Sequence, residues 1–139
     1  MPKESTTPDL VELGSRLLEA ANGRDLGAML RFYAPDAVLQ NAEGLGTFEG
    51  RAAIRAFWQD WLASYEELWV EEEEVLDLGN GVAFNVLRQR GRPIGSSGYV
   101  QMRYAVVGVW REGLIERVTS YRDIDEGRSA AERLAESRG

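Results

Sequence analysis

The chain has 139 residues, 44% hydrophobic and 28% charged, with 16 basic against 23 acidic side chains and a formal net charge of −7. That size fits one globular domain, and the acidic balance argues against nucleic acid and anionic membrane as partners. Neither cysteine nor histidine occurs, which excludes disulfides, thiolate chemistry and a zinc site, so acid–base work falls to carboxylates, tyrosines and amides. Residues 1–8 read as a disordered polar N-terminus without the apolar core of a signal peptide. No apolar run reaches membrane-spanning length, so the default location is cytoplasmic.

From Asp9, a plausible N-cap, the apolar residues Leu10, Leu13, Leu17, Leu18 and Ala21 recur at helical spacing until Asn22-Gly23. A second helix is predicted from Leu26 to Tyr33, capped by Asp25 and closed by Pro35. Ala37 to Asn41 reads as a short strand, and NAEGLGTFEG as a turn-rich loop. Gly50 opens a third helix reaching Tyr65, with Phe57, Trp58, Trp61 and Tyr65 on one broad face. Strands follow: Leu68–Leu78, a Gly79-Asn80-Gly81 hairpin turn, Val82–Arg90, Tyr99–Trp110 and Leu114–Asp123. Residues 127–139 are expected to form a tail with a short solvent-facing helix, after a domain spanning 9–126. Helices before strands indicate an α+β fold. The run Glu71–Glu74 alternates faces in a strand, which makes it a solvated edge and not a metal site.

The stretches FYAPDAVLQN (32–41), GTFEGRAAIRAFW (46–58) and VTSYRD (118–123) resemble the SnoaL-like branch of the nuclear transport factor 2-like superfamily. That resemblance implies a cone-shaped curved antiparallel sheet packed against three N-terminal helices, with an internal pocket and a dimer formed through the outer sheet face. The three acid–base positions of ketosteroid isomerases fall on Leu17, Asn41 and, less certainly, Val106, which lack the needed groups. LQN (39–41) and SYRD (120–123) look like two motifs of limonene epoxide hydrolases, with Asn41 as the water-holding amide and Asp123 as a relay aspartate. The remaining relay positions fall on Val86 and Arg88.

Carrying strand alternation from Asp123 places Thr119, Tyr121, Met102, Tyr104, Val106, Gly108, Phe84, Val86 and Arg88 inside the cone. Trp58, Trp61 and Tyr65 join them from the third helix. The expected catalytic set is therefore Asp123 as acid–base group, Asn41 and Arg88, without metal or cofactor. The expected substrate is a small hydrophobic or polycyclic molecule, and the reaction that of a cyclase, isomerase or epoxide hydrolase. A non-catalytic small-molecule binding protein is the alternative. If Arg88 and Asp123 both point into the cavity they can meet as an ion pair, and an apolar outer face of Ala105, Val107, Val109, Val118 and Leu87 is expected to join two copies.

Overall fold

The computed structural model describes residues 9–41 and 46–139. The order is α1 (Leu10–Asn22), α2 (Leu26–Leu30), β1 (Tyr33–Asn41), β2 (Thr47–Glu49), α3 (Arg51–Ala63), β3 (Tyr65–Gly79), β4 (Val82–Pro93), β5 (Val100–Arg111), β6 (Leu114–Tyr121) and α4 (Ile124–Arg138). The fold is α+β, a curved, open six-stranded sheet in the order β2-β1-β6-β5-β4-β3. All neighbours are antiparallel except β1 and β6, which run parallel. No helix among the described residues is long and apolar enough to cross a membrane.

Local chemistry sets the helix ends. Asp9 Oδ1 accepts from the Val11 N–H at 3.0 Å, and Asp25 Oδ1 from the Ala28 N–H at 3.1 Å. Each satisfies a donor that the first turn leaves unpaired. The second helix stops at Leu30, three residues short of the sequence reading. Pro35 lies instead within β1, in the stretch where pairing with β6 shifts between Tyr33 and Val38, a place where the missing N–H costs no ladder bond. The predicted loop after β1 contains β2, which pairs Thr47, Phe48 and Glu49 with Gln40, Leu39 and Val38; the rest of that loop, 42–45, and the N-terminal stretch 1–8 lie outside the described residues. The hairpin turn between β3 and β4 forms as predicted, with positive φ at Gly79, Asn80 and Gly81. A Cβ on Gly81 would stand 2.6 Å from the Trp110 carbonyl oxygen, so backbone approach and dihedral both demand glycine there.

The sheet has a core on each face. On the inner face, toward α1–α3, Leu10, Tyr33, Ile54, Ala83, Trp110 and Ile115 pack together. On the outer face, Phe84, Val86, Ala105 and Val107 pack against Ala131 and Ala135 of α4. The C-terminal helix is thus no solvent-facing appendage. Gly127, Ala131 and Ala135 recur every four residues and form its buried stripe, which brings the helix backbone close to the strands. Arg128 adds a two-bond pair to Glu74 at 2.8 and 3.0 Å, and its guanidinium lies 4.8 Å from the Phe84 ring centroid.

This arrangement corrects the outer face inferred from alternation. Ala105 and Val107 do point outward, but α4 of the same chain covers them. Leu87 and Val118 point inward.

Candidate functional site

Between α1–α3 and the inner sheet face lies a cavity of about 150 Å³. Gly14, Leu17, Leu18 and Ala21 of α1 form one side, and Trp58 and Trp61 of α3 another. Leu87, Tyr104, Val106 and Gly108 supply the sheet side, with Leu39 and Val118 from β1 and β6. Trp110 also lines it. A Cβ on Gly108 would lie 3.1 Å from the Trp110 indole nitrogen, so the glycine makes room for that ring.

Two fastenings hold the helices over the cavity. Asn22, the last residue of α1, donates from Nδ2 to the Val70 carbonyl and accepts at Oδ1 from the Val70 N–H, both at 2.8 Å. Arg24 donates to the Leu62 carbonyl at 3.0 Å and the Tyr65 carbonyl at 2.8 Å, tying the α1–α2 turn to the end of α3.

The aromatic wall is continuous. Ring centroids of Phe57 and Trp58 lie 5.1 Å apart, those of Trp58 and Trp61 5.0 Å, and those of Trp61 and Tyr65 5.9 Å, all edge to face. Trp58 Nε1 donates to the Tyr33 hydroxyl oxygen at 3.2 Å. Burial pushes the Tyr33 phenol up to about 12, which keeps it a proton donor at neutral pH.

The polar groups form two sets. Gln89 is 1% exposed; its Nε2 donates to the Tyr65 hydroxyl at 3.3 Å, and its Oε1 accepts from the Tyr104 hydroxyl at 3.1 Å. Burial, with Tyr65 nearby, raises the Tyr104 phenol. In the second set, Glu72 of β3 accepts from Asn85 Nδ2 at 3.0 Å and from Ser15 Oγ at 3.4 Å. Burial raises its carboxyl above the usual glutamate range, against the opposing effect of those two donors. Glu72 and Asn85 both line the cavity.

Of the residues singled out from sequence, Trp58, Trp61, Tyr104 and Val106 line the cavity. Tyr65 stands at the end of the aromatic row. Asn41 donates to Ser120 Oγ at 3.2 Å and is not among the lining residues. Met102, on the inner face beyond Tyr104, is exposed, its sulfur 3.5 Å from Gln89 Nε2.

The remaining placements are corrections. Asp123 is exposed and caps α4, accepting the Glu126 N–H at 3.0 Å. Arg88 lies on the outer face, where its guanidinium pairs with Glu73 at 2.8 Å and Glu71 at 3.6 Å; it does not meet Asp123. Val86 and Tyr121 belong to the core under α4. The cause is a one-residue slip in parity. Asn85 and Leu87 stand opposite Val106 and Tyr104 in the β4–β5 ladder, and Ser120 opposite Val106 in the β5–β6 ladder. Directly opposed residues share a face, so odd positions of β4 and, from Val118 on, even positions of β6 turn inward. Asp123 follows the end of β6, and alternation does not extend to it. Sequence reasoning passed over Glu72, Asn85, Gln89 and Tyr33. Asn85 and Gln89 carried a signal, as polar residues embedded in β4, whereas the EEEE run hides which glutamate turns inward.

A curved open sheet closed by helices over a partly polar, aromatic-walled cavity defines a nuclear transport factor 2-like fold. The chain belongs to the SnoaL-like domain family, which matches residues 15–118. No functionally curated protein matches the chain in sequence. Among solved structures it is similar to a hypothetical protein with a ketosteroid isomerase-like fold from Catenulispora acidiphila in complex with trimethylamine, at 17% identity and TM-score 0.73, covering 90% of this chain and 93% of that one. It is similar to the epoxide hydrolase/cyclase-like enzyme SalBIII, described in pyran ring formation in salinomycin, at 18% identity and TM-score 0.71, covering 80% and 88%. It is also similar to a Mycobacterium tuberculosis protein in complex with estradiol-17beta-hemisuccinate, at 19% identity and TM-score 0.70, covering 88% and 97%.

Proposed function

We propose that the protein takes a compact, mostly apolar organic molecule into this cavity and acts on it as a small-molecule cyclase or isomerase. The cavity carries the reading: about 150 Å³, walled by tryptophans, with Glu72 as the carboxyl that the described residues place on its lining. Apolar space of about this size accommodates a benzene-sized guest. The molecule is therefore one ring with short substituents, the small hydrophobic end of the small hydrophobic or polycyclic class expected from the sequence. The neighbouring structures with trimethylamine and an estradiol derivative support small-molecule binding as the general use of such a fold.

The chemistry we propose is proton transfer, which this chain's own groups supply. A carboxyl raised by burial exchanges protons nearer neutrality than an exposed one, and Glu72 replaces Asp123 in that role because Asp123 is committed to the helix cap. The Tyr33 phenol stays protonated and donates to a developing oxyanion. We also retain a homodimer as a proposal, through the part of the outer face where Trp69 stands exposed; sedimentation as a monomer at micromolar concentration would reject it.

The test is titration of the full chain with single-ring ketones, epoxides and amines, followed by tryptophan fluorescence and by NMR of the ligand. Saturable quenching with ligand conversion, lost in Glu72→Gln, is expected. Saturable binding without conversion would favour the binding-protein alternative, and no binding by any member would overturn both.

A further inference from the structure

The cavity is unbalanced in charge. Among the described residues Glu72 is the one acidic side chain on its lining, and no lysine or arginine lines it. Among the described residues no cation lies within ion-pair distance of Glu72; the arginines that form ion pairs do so with other glutamates. Its two hydrogen-bond donors, the Asn85 amide and the Ser15 hydroxyl, are neutral. They hold the carboxylate in place without neutralising it.

Space is kept free beside that carboxylate. Gly14 sits in the middle of α1, where glycine costs about 1 kcal/mol of helix stability relative to alanine. A Cβ there would lie 3.8 Å from Glu72 Oε2 and 4.0 Å from Asn85 Nδ2. The bare backbone leaves that contact shell to a ligand atom. Tyr33, Trp58, Trp61, Tyr104 and Trp110 line the same cavity.

A carboxylate with neutral donors, in a cavity that aromatic rings also line, is complementary to an organic cation. The ion pair supplies a charge-assisted hydrogen bond, and the ring faces attract the remaining positive charge. Other chemistries fit less well. A ketone or ether brings only lone pairs toward the carboxylate. An alcohol offers one neutral donor, and an organic acid brings a second negative charge with no cation to receive it. We infer that the site selects a compact organic amine, bound as its ammonium with the nitrogen at Glu72 and its apolar ring against the tryptophans. This rests on the reading of the cavity as a small-molecule site, and it gives Glu72 a partner with which to exchange a proton.

The experiment compares three probes of one shape on the wild-type full chain at mildly alkaline pH: cyclohexylamine, cyclohexanol and cyclohexanecarboxylate, with benzene as an uncharged reference. Affinities come from calorimetry and tryptophan quenching. The amine should bind at least about tenfold tighter than the alcohol, the scale of one charge-assisted contact in a partly desolvated site, and the carboxylate weakest. Glu72→Gln should bring the amine to the level of the alcohol. An alcohol or carboxylate that binds as tightly as the amine overturns the inference, as does a Glu72→Gln variant that keeps the amine preference. Benzene or cyclohexanol binding without amine preference would leave the small-molecule reading standing alone. Failure of all four probes would remove both.

Discussion

Asn22 offers a sharp test of how the cavity is held shut. β3 is an edge strand, and Val70 on it is 3% exposed. The backbone groups on its free side would be buried without partners if α1 ended otherwise. The Asn22 carboxamide meets both of them at 2.8 Å, one bond donated and one accepted, so it acts as a neighbouring strand residue would. Asn22→Ala removes both bonds and leaves a buried N–H and a buried C=O unpaired. Each such group costs about 1–3 kcal/mol, and water reaching the edge strand relieves part of that. The expected loss is therefore about 2–4 kcal/mol by urea unfolding with an unchanged m-value. Alanine's better helix propensity opposes this by about 0.5 kcal/mol, so the measured figure understates the clamp. Because Leu17, Leu18 and Ala21 lie just before Asn22 on the cavity side, the variant should also bind hydrophobic dye more strongly. A variant within about 0.5 kcal/mol of wild type, the range of an ordinary surface substitution, would show that the carboxamide does not fasten α1 to the sheet.

Asp123→Ala should cost about 1 kcal/mol in thermal unfolding, as loss of an N-cap does, while leaving the affinity of any cavity ligand unchanged; weakened binding at unaltered stability would return Asp123 to the site. Burial raises the folded Glu72 carboxyl above the ordinary glutamate value of 4.5. Its contribution to stability is therefore fully present below that value and lost as pH rises through the folded one. Glu72→Gln should accordingly gain stability relative to wild type from acid toward neutral pH in stepped urea titrations, and a pH-independent difference would contradict the assignment. Gly127→Val should lower the unfolding midpoint by the equivalent of about 1–3 kcal/mol, since a Cβ at that position would stand 2.9 Å from the Ala105 Cβ; an unchanged midpoint would mean that α4 does not seat where described.

Element order and the three motif stretches were enough to identify the fold class and the family from the sequence. Helix starts were legible because Asp9 and Asp25 each bond a first-turn amide directly. The inner set on β5 was legible too, since Tyr104, Val106 and Gly108 all line the cavity. What failed was β4. Its run VAFNVLRQR is apolar on both faces for half its length, because α4 covers Phe84 and Val86 outside while Leu87 faces the cavity inside. A strand buried on both sides has no polar alternation to set its parity, so nothing within β4 corrected the placement of Val86 and Arg88 inside. The helix that caused the ambiguity was itself readable as a stripe of Gly127, Ala131 and Ala135 at spacing four, a pattern of small residues that hydrophobicity alone does not flag.

The EEEE run shows how one extra residue decides the chemistry of the site. Glu71 and Glu72 stand opposite Arg88 and Leu87, so Glu71 faces outward and Glu72 inward. Regular alternation would send Glu74 inward as well and set two carboxylates on one face. The register shifts instead, and Glu74 stands opposite Val86 on the outer face. A bulge of this kind re-aims the side chains that follow it. Glu73 then meets Arg88 and Arg103, and Glu74 meets Arg128 of α4. Two carboxylates at close range would repel, and one of them would take up a proton more readily. With the bulge, Glu72 is left as the one carboxylate on the cavity lining among the described residues, and the glutamate removed from the inner face latches the helix that covers the outer core. The same irregularity thus sets the charge of the cavity and closes the back of the sheet.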